Sequence, residues 1–87
     1  MATVFIPTAL RRWSGGAAQV EARGGTVRDI IVDLERQHPG LQSRLCEGDR
    51  LKPGLAVVVG TSVAAAGLLA DVPAGAEVHF VQAVGGG

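Results

Sequence analysis

Residues able to do chemistry are scarce in this sequence, and the most suggestive is the last. The chain ends Ala83-Val84-Gly85-Gly86-Gly87, so the α-carboxylate of Gly87 follows neighbours without side chains. Glycine has no Cβ and takes φ of either sign, which lets a partner's walls close on bare backbone. Such an end suits a reaction at the carboxylate itself, carried out in a narrow channel of another protein. Ordering it there costs roughly 1–2 kcal/mol per residue. A frayed terminus with no role is the bland alternative. Other candidates are weaker. His38 and His79 are the two histidines, the residue type that most often serves as a base near neutrality, and neither sits in a recognisable motif. Cys46 is the single cysteine, which excludes an internal disulfide and a cysteine-based metal cage. With no Cys-x-x-Cys neighbour or adjacent histidine to lower its pKa, it reads as a small packed hydrophobe. Arg11 and Arg12 beside Trp13 have the residue types of a nucleic-acid contact, but no basic stripe continues from them. No catalytic or metal-ligating set emerges, and a non-enzymatic role is expected.

Composition narrows the class. Eighty-seven residues make one domain near the small end of what folds without staples. Nearly half the residues are apolar and eight acids balance eight bases, which argues against a disordered chain and against an electrostatic nucleic-acid binder. No apolar run approaches the roughly 18 residues needed to span a bilayer. The N-terminus lacks the basic-then-apolar pattern of a signal peptide. A cytoplasmic location with neither membrane nor nucleic acid as partner is the expectation.

The elements that must position Gly87 follow from periodicity. Thr3 to Ile6 is a short β-rich run with Val4 and Ile6 on one face and Thr3 and Phe5 on the other. Pro7 lacks a ladder donor and marks its end. Leu10 to Gly16 reads as a hairpin connection, and Ala17 to Ala22 as a returning strand with Ala18 and Val20 inward. Thr26, with Asp29 three residues on, resembles a capping box. Val27, Ile30, Ile31 and Leu34 then fall at i, i+3, i+4 and i+7, which predicts a helix over Thr26–His38 with Arg28, Asp33, Glu35 and Arg36 on its wet side. Pro39-Gly40 stops it, and His38 reads as a charge favourable to the helix dipole.

Leu41 to Cys46 suggests one more helical turn with Leu41 and Leu45 inward, followed by the turn-like Glu47-Gly48-Asp49-Arg50. The unbroken apolar run Leu55 to Val59 predicts a central strand buried on both faces. Ala64 to Ala70 is too weakly patterned to assign. Asp71 to Gly75 forms a turn into the last strand, Glu77 to Gln82, with Val78 and Phe80 inward and His79 and Val81 outward. Strands on one side and one long helix on the other define a two-layer α+β domain over residues 1–82, with a flexible tail over 83–87. If the first and last strands are neighbours, Phe5, His79 and Val81 form an outward patch able to dock a partner.

The strand order, the turn Asp71-x-Pro73-x-Gly75-x-Glu77-Val78 and the ending Ala83-Val84-x-Gly86-Gly87 resemble the ThiS/MoaD family of ubiquitin-like sulfur carriers. The opening Ile6-Pro7-Thr8-x-Leu10, with Gly15-Gly16 after it, is similar to the actinobacterial branch of that family that serves cysteine biosynthesis. The resemblance spans essentially the whole chain. It departs at Gly85, where alanine is common, and at Gln82, where many members have proline. It implies a β-grasp fold, with a mixed four- to five-stranded sheet and one main helix across it.

It also implies a chemistry. An E1-like adenylyltransferase and sulfurtransferase of the ThiF/MoeB type would use ATP and magnesium to convert the Gly87 carboxylate to an acyl-adenylate. Sulfide or a persulfide sulfur would then displace AMP, leaving a thiocarboxylate for a sulfur-accepting biosynthetic enzyme. Val84, Gly85 and Gly86 would thread into the partners' active sites, reaching roughly 17 Å when the five residues are extended. A JAMM-type metalloprotease is a further partner, and the carrier itself would bind no cofactor. Two other readings share these features: a ubiquitin-like modifier joined to lysines, and a β-grasp interaction module for which the ending is incidental. The final acceptor is open among thiazole, molybdopterin, cysteine and secondary-metabolite routes.

Overall fold

Thr26 starts the principal helix. Its backbone is extended, at φ −133° and ψ 164°, and its side chain accepts a hydrogen bond from the Asp29 amide at 3.2 Å. One of the helix's unpaired N-terminal donors is thereby satisfied. The computed structural model describes residues 1–82. In it the chain runs β1 (Ala2–Phe5), a 3-10 segment Thr8–Ser14, β2 (Gln19–Ala22), α1 (Val27–Gln37), α2 (Leu41–Leu45), β3 (Cys46–Glu47), β4 (Arg50–Leu51), β5 (Leu55–Val59), β6 (Ser62–Val63), a 3-10 turn Gly67–Leu69 and β7 (Glu77–Gln82). The expected tail over 83–87 lies outside the described residues.

The predicted helix is present, with Thr26 and His38 as its caps. Val27, Ile30, Ile31 and Leu34 are each at most 1% exposed, so this stripe faces the sheet along its whole length. Asp33 departs from the expected wet face and is buried. Its carboxylate accepts from the Arg23 backbone amide at 3.0 Å, from Gln37 Nε2 at 3.0 Å and from the Arg36 guanidinium. These donors hold its pKa below the ordinary carboxylate range, the Arg23 amide foremost and Arg36 next, against the opposing effect of burial. The sequence pattern hid this because the main partner is a backbone group ten residues upstream, where the chain leaves β2. Gly24, in the same connection, lets backbone press on the helix: a Cβ there would lie 2.7 Å from Ile30 N.

Five strands form one mixed sheet in the order β2-β1-β7-β5-β6. β1 pairs parallel with β7, matching Val4 to Val78 and Phe5 to His79. β5 pairs antiparallel with β7, from Leu55–Gln82 to Val59–Val78. The central strand is therefore β7, and not Leu55 to Val59 as its valine run suggests. β5 has only the two residues of β6 on its far side, and of its side chains Val57 alone is fully buried. Val4, Val78 and Phe80 of the inner face pack with α1, Leu41 and Leu45 in one core cluster.

Leu10 to Gly16 is not a simple hairpin loop. Thr8–Ser14 coils as 3-10 helix, and the Ser14 hydroxyl, buried, bonds the Arg11 and Ala17 carbonyls. This delays β2 to Gln19, so Ala18 is exposed instead of inward, while Val20 and Ala22 are buried. Ala18 still closes the ladder, its carbonyl accepting from Ile6 N at 2.8 Å just before Pro7. The unassigned Ala64 to Ala70 stretch carries one anchor, Leu68, at 7% exposed.

Candidate docking face and tail root

Strand alternation sends Phe5 from β1 and His79 and Val81 from β7 to the face of the sheet away from the helix. The parallel register sets Phe5 directly beside His79, and the antiparallel one sets Val58 of β5 on its other side. Val63 of β6 pairs with Val58 in turn. One row across the outer face thus reads Phe5, His79, Val58, Val63. The Phe5 and His79 rings are stacked with centroids 4.1 Å apart. Val81 pairs with Ala56 in the next outward row, nearer the end of β7. Val81 is 41% exposed and Val63 69% exposed.

The face is graded in polarity along β7. At its beginning Thr3 lies between Glu77 and Glu21 and donates to the Glu21 carboxylate at 2.6 Å. Glu77 Oε1 lies 3.3 Å from His79 Nε2. Toward the other end come Val81 and Ala56, then Gln82, the last described residue. The apolar part of the face thus lies toward the Gln82 end of β7.

The structure brings together the three expected docking residues, Phe5, His79 and Val81. Val58 and Val63 extend their patch and were missed: Val58 because a strand taken as buried on both faces leaves no outward residue to consider, and Val63 because the two-residue strand β6 is too short to show a pattern. Alternation within Leu55 to Val59, applied against a solvated outer face, would have found Val58. The residues expected to react or thread, Val84, Gly85, Gly86 and Gly87, lie outside the described residues.

The competing nucleophile is poorly placed. Cys46 is half-buried in β3, packed against the core, and burial raises its thiol pKa despite the opposing pull of Arg28. A thiol kept protonated is a weak nucleophile. Among the described residues no group of three or more His, Cys, Asp or Glu could hold a metal ion. No helix there is long and apolar enough to cross a membrane.

A mixed sheet wrapped over one long helix, with parallel first and last strands at its centre, is a β-grasp fold. The chain belongs to the ThiS family, which it matches over residues 4–87. Among solved structures it is similar to the chain in the BexX/CysO complex of Amycolatopsis orientalis, at 39% identity and TM-score 0.91 with both chains fully covered. It is also similar to CysO of Mycobacterium tuberculosis, at 31% identity and TM-score 0.88 over 97% of this chain and 100% of that one. SAMP1 of Haloferax volcanii follows at 28% identity and TM-score 0.72, over 99% of this chain and 98% of that one. The sulfur carrier protein CysO of Mycobacterium bovis is 44% identical over 45 residues. That alignment spans 52% of this chain and about half, 48%, of the curated relative.

Proposed function

We propose that this protein is a sulfur carrier whose Gly87 carboxylate is converted to a thiocarboxylate in the cytoplasm. The observation that carries the reading is the ThiS family match, which runs through residue 87 and so takes in the Gly86-Gly87 end. Two features support it. The central strand β7 ends at Gln82, which joins the last five residues to the most firmly paired element of the sheet. The one cysteine packs against the core, and burial raises its thiol pKa, which makes it a poorer rival site for sulfur.

The steps balance without a catalytic group on the carrier. A Gly87 carboxylate oxygen attacks the α-phosphorus of ATP, and pyrophosphate leaves. The carbonyl carbon, no longer shielded by negative charge, accepts sulfide, and AMP leaves. The carrier keeps sulfur in place of oxygen and presents it to an acceptor enzyme. The activating partner is an E1-like enzyme of the ThiF/MoeB type, which supplies ATP and magnesium and docks on the Phe5–His79–Val81 face. The CysO–BexX complex of the Amycolatopsis relative supports a second protein partner. A JAMM-type protease would act after transfer to an amine-bearing acceptor. The test is reconstitution with a ThiF/MoeB-type enzyme, ATP, magnesium and sulfide. Intact mass should rise by the difference between one sulfur and one oxygen atom, and an unchanged mass sinks the reading.

Likeness to SAMP1 supports a second reading, a protein modifier joined to lysines. It uses the same adenylate but ends in an isopeptide bond. Lysine adducts on protein from native cells would favour it.

A further inference from the structure

A groove of about 180 Å³ opens beside the end of β7, lined by Pro7, Leu10, Leu55 and Gln82, with Arg44 and Lys52 on its walls. Gln82 pairs with Leu55 and is the residue bonded to Ala83, so the groove sits at the root of the reactive end. Among the described residues no carboxylate lines it. Among the described residues the ion pairs involve neither Arg44 nor Lys52. The Arg44 guanidinium lies 4.2 Å from the Trp13 ring centroid and that of Arg12 lies 5.2 Å from it, so one indole gathers two cations. A π-face holds such charges without neutralising them. Glu35, from the last turns of α1, commits its carboxylate to the Gly40 and Gln42 amides at 2.9–3.1 Å.

Opposite charge collects at the other end of the sheet. Glu77 begins β7, and Glu21 stands across Thr3 from it. About 16 Å of strand separates Glu77 from Gln82 at the usual rise per residue. The end of the sheet that carries Gln82 thus presents two cations, Arg44 and Lys52, to a partner that receives Gly87. A partner acting on Gly87 must stand within the roughly 17 Å that five extended residues span from Gln82, so the groove lies close to it.

We propose that this groove receives an acidic loop with an apolar tip at the mouth of the activating enzyme's channel. The apolar residue would seat between Pro7, Leu10 and Leu55, and flanking carboxylates would meet Arg44 and Lys52. The proposal rests on the carrier reading and adds a second contact, distinct from the apolar outer face. Complementary charge of this kind acts mainly on encounter rate and orientation.

The experiment is carrier-dependent ATP–pyrophosphate exchange by a ThiF/MoeB-type enzyme at low and high salt, with wild type, Phe5→Ala and the double variants Arg44→Glu/Lys52→Glu and Arg44→Gln/Lys52→Gln. Charge reversal is expected to raise KM for the carrier roughly tenfold at low salt, with kcat within about twofold and the defect shrinking as salt rises. The glutamine variant, which keeps side-chain length, should fall between it and wild type, and Phe5→Ala should keep the wild-type salt dependence. Circular dichroism and thermal melting check that each variant is folded. A KM for the folded charge-reversed carrier within about twofold of wild type at low salt overturns the proposal. So does a KM defect indifferent to salt. If reversal leaves KM alone but abolishes self-association in ultracentrifugation, the groove holds a second copy of this chain and the proposal is wrong. Absence of exchange with wild type, by contrast, removes the carrier reading itself.

Discussion

The Phe5 ring and the His79 imidazole lie face to face, 4.1 Å between centroids and 4° from parallel. The pair exists because β1 and β7 run parallel in register, which puts residues from opposite ends of the chain side by side. Both rings are half-buried, so the stack contributes to stability whether or not a partner docks on it. An aromatic pair adds about 0.5–1.5 kcal/mol beyond its buried area. Phe5→Ala should therefore lower stability modestly, by roughly 1 kcal/mol. Its effect on affinity for the activating enzyme should be larger, tenfold or more for a residue at the centre of a docking face. Parallel denaturant melts and binding titrations measure the two effects. Equal loss of both would make Phe5 a core residue and nothing more.

Leu34 tests the packing of α1. It is 0% exposed, while Val32 on the opposite side of the helix is 51% exposed. Leu34→Ala is expected to cost about 2–5 kcal/mol, through lost transfer energy and the cavity left behind. Val32→Ala should stay within about 0.5 kcal/mol. Urea midpoints at constant slope give both values, and similar costs for the two would place the helix differently on the sheet.

Adjacent glycines give a sharper steric test. A Cβ on Gly24 would fall 2.7 Å from Ile30 N and 2.8 Å from Asp29 C, backbone atoms of α1 that cannot swing aside. A Cβ on Gly25 would meet nothing within 4 Å. Gly24→Ala should destabilise by about 1–3 kcal/mol as an overpacked site, with Gly25→Ala near neutral. Thermal melting of the two variants decides it, and a neutral Gly24→Ala would mean that the β2–α1 connection has room to move.

Acid stability should depend on Asp33. Its native pKa lies below that of the unfolded chain, chiefly through the Arg23 amide and then Arg36. A depressed native pKa contributes stability above the unfolded value, about 3.9 for aspartate, and loses it as pH falls from there through the native value. Arg36 is largely exposed, so solvent screens its share, and the backbone amide is the firmer partner. Asp33→Asn should lower stability at neutral pH and flatten the fall in urea midpoint below about pH 4. An unchanged acid slope in the variant would assign acid lability to other carboxylates.

Much of this architecture was legible in the sequence where burial follows a simple period. Val4 and Ile6, Val78 and Phe80, and the i, i+3, i+4, i+7 stripe of α1 each face the core as their spacing requires. Misreadings occurred where a contact, and not a period, decides. Asp33 is buried by a backbone donor that no pattern within the helix reveals. The 3-10 coil of Thr8–Ser14 has neither helical nor strand alternation to announce it. The valines of β5 suggested a central strand, yet centrality belongs to β7 through pairings set by the whole topology. The outer face proposed for docking was partly legible, since the placement of Phe5, His79 and Val81 on it follows from alternation. The groove with Arg44 and Lys52 was not, because those residues come from separate elements that only folding brings to Gln82.

The last prediction sets Gly87 against Cys46 as the place where sulfur is carried. Cys46 has the softer atom, and a persulfide there is the plainest rival to a C-terminal thiocarboxylate. A persulfide-forming cysteine needs a thiolate, and burial pushes this thiol the other way, with Arg28 only partly offsetting it. Under the proposed mechanism a glycine carboxylate would need no such activation, because the partner would spend ATP to make its carbon electrophilic. In the reconstituted reaction, Cys46→Ser should therefore acquire the same mass increase as wild type. Deleting Gly87, or adding one bulky residue after it, should abolish the increase. Both altered ends are expected to leave the melting temperature near wild type, since residues 2–80 already supply a continuous buried core among the described residues. Fragmentation should place the sulfur on the last residue, and a reductant that cleaves persulfides should not remove it. If the label follows Cys46, disappears with reductant, or survives loss of Gly87, sulfur is carried elsewhere on this protein.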